Sequence, residues 1–191
     1  MGRIERMFCA CAALLVVTGV LAPVAVAKPP PTPAAQARAV VPLSLLHHVA
    51  QREIALGLLA QVAAVRPETM RFATELETNF RLLDRRILAI AEALAIGENR
   101  LRQAYADQNT AALDGQADEL QRLSLLRGDD FDRQFWVTVD RDQRTASDLL
   151  ASAPGAVPSL DSVVEDTLRL IDRSIRNAAV AQAVSDAPRP R

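Results

Sequence analysis

The clearest regularity in the chain is a stripe of apolar residues between residues 67 and 97. Their spacings alternate between three and four positions, which puts them on one face of an α-helix. Pro67 suits the first turn of such a helix and Gly97 its end. The pattern predicts one long amphipathic helix whose buried face carries Ala73, Leu76, Phe80, Leu83, Ile87, Ile90 and Leu94.

Three further segments indicate helices, and no segment has the alternation that is typical of strands. They are residues 43–65, residues 128–153 and the stretch after Pro158. Between residues 98 and 127 the periodicity weakens, which suggests short helices within a connection. The expected fold class is therefore all-α, an antiparallel four-helix bundle with a longer central crossover containing short helices.

Residues 1–27 have the pattern of a secretory signal peptide. Arg3 and Arg6 precede an apolar run, and Ala25-Val26-Ala27 supplies the small residues that signal peptidase requires. An uncleaved anchor is the alternative, since about 20 apolar residues can span a bilayer. Pro23 and the alanine-rich end favour cleavage after Ala27. The predicted location is periplasmic or secreted, with membrane contact only through the signal peptide before its removal.

The rest of the chain divides into three parts. Residues 28–42 are rich in proline and alanine and predict a linker that cannot hold an α-helix. Residues 43–184 form the expected bundle domain. Residues 185–191 contain two prolines and predict a disordered tail.

Composition and charge exclude several classes of protein. The 22 basic and 23 acidic residues nearly cancel, so the chain lacks the basic footprint of a nucleic-acid binder. Aromatic residues make up only 4% and there are seven glycines, which disfavours an all-β fold. Cys9 and Cys11 both lie in the signal peptide, so the mature chain is expected to have neither a disulfide nor a thiolate metal site.

Glu53 is the most informative polar residue of the chain. Helical winding places it among the apolar side chains of the first helix, where a carboxylate must be paired, protonated or bound to a cation. A salt bridge or hydrogen bond to a neighbouring helix, with Arg85 or Arg173 as the partner, is the commoner arrangement. A metal site is the alternative. Further carboxylates, Asp132 and Asp142, fall near the edges of the buried face of the third helix.

Other chemistry is weakly indicated. His47 and His48 are adjacent on the polar side of the first helix, which also carries Arg52, and this position favours a solvated pair of histidines over metal ligands. The chain has no glycine-rich phosphate loop, no H-E-x-x-H and no G-x-S-x-G motif. We therefore predict no catalytic residue, no cofactor-binding residue and no enzyme activity.

Two motifs are similar to those of a known family. Glu53, Gly57 and Ala60 fit E-x-x-x-G-x-x-A on the first helix, and residues 131–135 fit F-D-[KR]-x-[YF] on the third. With these motifs, residues 43–182 resemble the bacterial exported DUF4142 family. The resemblance implies a ferritin-like four-helix bundle behind a signal peptide.

The resemblance also implies three histidines, on the second, third and fourth helices, that this chain lacks. The corresponding positions align here with Asn79-Phe80, Asp142-Gln143 and Ser174. The carboxylates of Glu53, Asp132 and Asp142 are the potential ligands that remain. Oxygen ligands without imidazole favour Mg²⁺, Ca²⁺ or Mn²⁺ over iron or zinc.

Two functions stay open on this basis. The first is a non-enzymatic binding or structural role in the cell envelope, with an unknown envelope protein or small ligand as the partner and no cofactor. The alternative is a ferritin-like protein that holds a divalent metal ion through Glu53, Asp142 and Asp132. Lipid binding by amphipathic helices ranks below both, because acidic and basic residues are mixed along the chain.

Export with cleavage after Ala27 is directly testable. Protein recovered from the periplasm should begin at Lys28 when its N-terminus is sequenced, because Ala25 and Ala27 provide the small residues before that bond. A chain that retains Met1 and stays in the membrane fraction would contradict this prediction.

Overall fold

The computed structural model describes residues 31–152 and 158–186, which form five α-helices and no strand. The predicted all-α fold class is confirmed. None of the described helices has the length and apolar character needed to cross a membrane. The predicted signal peptide and its cleavage site at Ala27 lie outside the described residues. The helices are α1 Pro33–Ala63, α2 Pro67–Ala93, α3 Glu98–Leu125, α4 Gly128–Ser152 and α5 Pro158–Asp186.

Four of the helices close into a bundle around one core. α1 packs along α2 and against α4, and α5 packs against both α4 and α2, so each helix of this ring has two neighbours in it. The short connection between α1 and α2 makes this pair antiparallel. α3 takes the place of the predicted crossover. It lies mainly on α1 and touches α4 only lightly.

The crossover region is more helical than its weak periodicity suggested. α3 has 28 residues, with non-helical dihedral angles (φ −135°, ψ 30°) at Asn109 that divide it into two segments. Its buried side chains include Leu101, Tyr105 and Leu123, which mark a narrow contact with the bundle. A helix covered on one narrow side needs few apolar residues, so its hydrophobic stripe is faint.

The predicted linker at residues 28–42 is wrong from Pro33 onwards, because α1 already begins there. Pro33 occupies the first turn, and the Thr32 hydroxyl accepts a hydrogen bond from the amide of Ala35 at 3.2 Å. Pro42 lies inside the helix, where it removes one backbone hydrogen bond. Burial of the flanking Ala39 and Leu43 against the bundle compensates for this loss.

The C-terminal boundary also moves. α5 continues to Asp186, so the first two residues of the predicted disordered tail are helical. Residues 187–191 lie outside the described part of the chain.

The core contains the predicted stripe of α2, with Phe80 and Ile87 fully enclosed. At one end of the bundle, Phe72 of α2 meets two aromatic residues of α4. Its ring centroid lies 4.7 Å from that of Trp136 and 6.2 Å from that of Phe135, in tilted and edge-to-face arrangements. Phe135 and Trp136 both belong to the buried core.

The backbones of α1 and α2 approach each other closely at Gly57. A Cβ atom built there would lie 2.8 Å from the carbonyl oxygen of Ala73 and 2.9 Å from the Cβ of Glu77. Since backbone atoms cannot move away cheaply, a side chain at this position would push the two helices apart. Gly57 therefore permits the close packing of α1 on α2 one turn after Glu53.

The burial of Phe80 leads to a stability prediction. Phe80→Ala should lower the free energy of unfolding by about 3–5 kcal/mol, because it leaves a cavity in the enclosed core. Leu82→Ala on the same helix is the matched control, since Leu82 is 54% exposed and its truncation should change stability by only about 0.5 kcal/mol. Urea unfolding measures both. Equal losses in the two variants would contradict the packing described here.

Candidate functional site

A pocket of about 310 Å³ opens between α1, α3 and α4. We call it the Arg52 pocket. α1 contributes His48, Val49, Arg52 and Glu53. These are two adjacent pairs four positions apart, a spacing that places them on one side of a helix. α3 and α4 supply the other walls. Those side chains are Tyr105, Gly115, Gln116, Glu119 and Arg122 of α3, and Arg141, Asp142, Thr145, Ala146 and Leu149 of α4.

The guanidinium of Arg52 is buried and joins three helices. Its Nε donates to Oδ2 of Asp142 on α4 at 2.8 Å. Its Nη2 donates to Oε2 of Glu119 at 2.9 Å, and its Nη1 to the backbone carbonyl of Gln116 at 2.8 Å, both on α3. The planar fork of arginine suits such a set of divergent acceptors. Sequence reasoning placed Arg52 on the polar side of the first helix and missed this role.

Arg141 completes the network from α4. Its Nη2 donates to Oδ1 of Asp142 at 2.9 Å and also to Oε2 of Glu119. Burial raises the pKa of Glu119, but the hydrogen bond and charge of Arg141, together with the charge of Arg52, outweigh it and hold that pKa below its ordinary value. The Thr138 hydroxyl donates to the other Glu119 oxygen at 3.3 Å. Glu119 is therefore ionised and fully engaged.

Glu53 is 1% exposed and behaves differently. Burial, and then the negative charge of Asp142, raise the pKa of Glu53 to about 8, so its carboxyl is protonated at neutral pH. Its hydrogen-bond partner is Gln143 on α4, whose Nε2 lies 3.5 Å from Oε2 of Glu53. The predicted bond to a neighbouring helix is present, but the suggested partners Arg85 and Arg173 are wrong.

The three predicted metal ligands do not come together. Glu53 and Asp142 line the same pocket, but Asp132 lies ten residues earlier on α4, which is about 15 Å along the helix. Its Oδ2 accepts from the backbone amide of Arg66 at 3.1 Å, immediately before α2. Asp132 therefore has a structural role at the start of α2.

The described residues do not fit a divalent cation in this arrangement. They contain no group of three or more His, Cys, Asp or Glu side chains spaced to hold a metal ion. Glu53 is protonated at neutral pH, and both oxygens of Asp142 accept from arginines. Two carboxylates in these states offer a cation little free negative charge.

The interpretation of His47 and His48 as a solvated pair is wrong. His47 is 2% exposed and its Nδ1 lies 2.7 Å from Oδ1 of Asp84 on α2, whose other oxygen accepts from Gln51 at 2.7 Å. His48 is partly buried, with its Nε2 2.7 Å from Oε1 of Gln116. α3 covers this side of α1, which the expected crossover did not anticipate.

His48 also stacks on the ring of Tyr105, with centroids 3.7 Å apart and planes 10° from parallel. Burial lowers the pKa of His48 below its ordinary 6.5 and raises the pKa of Tyr105 above 10. Both rings are therefore uncharged at pH 7. One signal in the sequence pointed to this burial: apolar residues lie on every side of the first helix, as expected for a helix surrounded by others.

Comparison with protein families gives a match over most of the chain. The family model described as a domain of unknown function, DUF4142, matches residues 24–180. Neither the curated proteins nor the solved structures gave a match.

Replacing Glu53 by glutamine should stabilise the protein near neutral pH. The carboxyl has a pKa of about 8 in the folded chain against an ordinary 4.5, so the folded state binds a proton that the unfolded state releases. Stability contributed by this group is therefore full below about pH 4.5 and falls as pH rises to about 8. The loss is about 3 kcal/mol at pH 7, and Glu53→Gln removes it.

Urea unfolding between pH 5 and pH 8 measures this effect, with Glu92→Gln at an exposed position of α2 as the control. The stability difference between Glu53→Gln and wild type should grow with pH, and that of Glu92→Gln should not. A difference that is constant over this range would show that Glu53 is ionised in the folded chain.

Proposed function

We propose that this chain, which belongs to the DUF4142 family, is an exported protein that binds a small ligand in the Arg52 pocket without transforming it. The binding is expected to take place in the periplasm or outside the cell, as part of the cell envelope. The proposal requires no cofactor and no nucleic acid.

The observation that carries the proposal is a network of charged groups around an open cavity. Arg52 is buried, and the side chains of Asp142 and Glu119 are 10% and 14% exposed. Buried ion pairs contribute little to stability compared with apolar residues of similar volume, so folding alone gives little reason for them. Charged groups that converge on a cavity, beside a carboxyl with a strongly raised pKa, are typical of binding and active sites.

The state of these groups favours binding over catalysis. Both oxygens of Asp142 accept hydrogen bonds from arginines. One oxygen of Glu119 accepts from an arginine and the other from a threonine, so both carboxylates are held in place. A general base needs a free lone pair within reach of the proton it removes. Every oxygen of these two carboxylates already has a donor in the network, so a proton taken from a ligand would compete with the guanidinium and hydroxyl groups bound there.

Support for export comes from residues 1–27. Their two arginines, apolar run and final Ala25-Val26-Ala27 fit a cleaved signal peptide. Arrival outside the cytoplasm would also suit a mature chain without cysteine.

A metal-binding function is the second candidate, and one observation favours it. Glu53 of α1 and Asp142 of α4 line the same pocket, and the negative charge of Asp142 helps to raise the pKa of Glu53. A cation there would have to displace the proton of Glu53 and draw Asp142 away from Arg52 and Arg141.

Thermal unfolding of the purified mature protein tests the proposal. A panel of anionic, neutral and cationic small molecules should contain at least one that raises the melting temperature of wild type. Thr145→Trp, which fills the mouth of the pocket, should abolish that rise. Val137→Trp, at a 49% exposed position of the same helix outside the pocket, should preserve it.

Two results would overturn the proposal. In the first, Thr145→Trp reduces the rise in melting temperature for none of the molecules that stabilise wild type, because binding would then take place elsewhere. The other is stabilisation by Mn²⁺, Ca²⁺ or Mg²⁺ alone that disappears in Glu53→Gln, which would establish the metal candidate.

A further inference from the structure

We infer that the ligand of the Arg52 pocket is a small organic anion with an apolar chain, whose anionic group pairs with Arg122 and Arg141. This inference rests on the proposed function and narrows it to one chemical class. The charges, the free hydrogen-bonding groups and the apolar wall of the pocket each support it.

The first support is the charge balance of the lining. Arg52, Arg122 and Arg141 bring three guanidinium groups to the pocket, and Glu119 and Asp142 bring two carboxylates. Glu53 is protonated at neutral pH, because its pKa is raised to about 8. One positive charge therefore remains for a ligand to neutralise.

The second support is the distribution of donors and acceptors. The carboxylate oxygens of Asp142 and Glu119 all accept hydrogen bonds within the network, so a cationic ligand would have to compete with two arginines and a threonine for them. Donors remain. Arg141 uses only Nη2 in its described hydrogen bonds, and Arg122 uses only Nε, which donates to the backbone carbonyl of Asp118 at 3.3 Å.

Arg122 is exposed at the mouth of the pocket and makes no ion pair with another described residue. Arginine forks suit carboxylate, sulfonate and phosphate groups, which accept two parallel hydrogen bonds. Arg122 and Arg141 lie on different helices, α3 and α4, so an anion between them would bridge the two walls.

The third support is the apolar wall. Val49, Ala146 and Leu149 line the cavity, together with the ring of Tyr105, which is stacked on the neutral His48. A fully charged ligand such as inorganic phosphate would leave this wall in contact with water. A hydrocarbon chain next to the anionic group would cover it.

Calorimetric titration with octanoate tests the inference, using octanamide and octylammonium as neutral and cationic probes of the same length. Octanoate should bind the mature protein at pH 7 more tightly than either. Arg122→Gln should weaken octanoate binding about tenfold, as expected for the loss of one charge-assisted pair. The control is Arg133→Gln, an exposed arginine on α4 outside the pocket, which should leave binding unchanged.

A pH series adds a second readout. Raising the pH through about 8 should weaken octanoate binding, because ionised Glu53 brings a negative charge to the pocket. Glu53→Gln should lack this decline. The pKa of His48 lies below 6.5 and that of Tyr105 above 10, so neither ring titrates between pH 7 and 9.

Charged groups on several helices lie around the pocket, and of these Asp142 and Arg52 act on Glu53. These charged groups are Arg52 of α1, Glu119 and Arg122 of α3, and Asp142 and Arg141 of α4, with Asp84 of α2 held by His47 and Gln51.

The outcomes separate this inference from the proposed function. Octanamide or octylammonium binding as tightly as octanoate, or octanoate binding unaffected by Arg122→Gln, would overturn the anionic class and leave a binding pocket. Failure of octanoate to bind at millimolar concentration, while another molecule stabilises wild type but not Thr145→Trp, would do the same. If no molecule is sensitive to Thr145→Trp, both the inference and the proposed function fail.

Discussion

The buried guanidinium of Arg52 is the interaction on which the functional side of this protein depends. It extends from α1 and is matched by a carboxylate of α4, a carboxylate of α3 and a backbone carbonyl of α3. A charge removed from water is tolerated only when its hydrogen-bonding groups are satisfied, so the place of α3 on the bundle is tied to these acceptors. With α3 there, the cavity gains a third wall and His48 loses much of its contact with water.

Much of the fold could be predicted from the sequence. α2 shows why hydrophobic periodicity identifies a helix correctly. Its buried face meets the core and its other face meets water, so the apolar residues form a sharp stripe that ends where the helix ends. The start of α1 could not be predicted in this way. Local chemistry disfavours a helix through Pro42, and only burial of Ala39 and Leu43 against the rest of the bundle reverses that preference.

For a related reason, the sequence predicts the burial of Glu53 in the candidate site but not the partners of the site residues on other helices. Winding one helix is enough to identify Glu53 as an enclosed carboxyl, because that property depends on α1 alone. Its partner Gln143, and the bonds from Arg52 to Glu119 and Asp142, depend on how separate helices meet. The burial of His47 depends on the same contacts. The local sequence of α1 does not identify the partners in these contacts, so sequence reasoning assigned Arg52 and both histidines to solvent.

The aromatic cluster in the N-terminal half of α4 contains an intrinsic fluorescent probe. Trp136 is the single tryptophan of the chain and is 2% exposed, packed against Phe72 and Phe135. Asp142 lies six positions further along α4, about 9 Å of helix. Unfolding of the bundle would expose this indole to water and change its emission, so intrinsic fluorescence reports on the packing of the aromatic core.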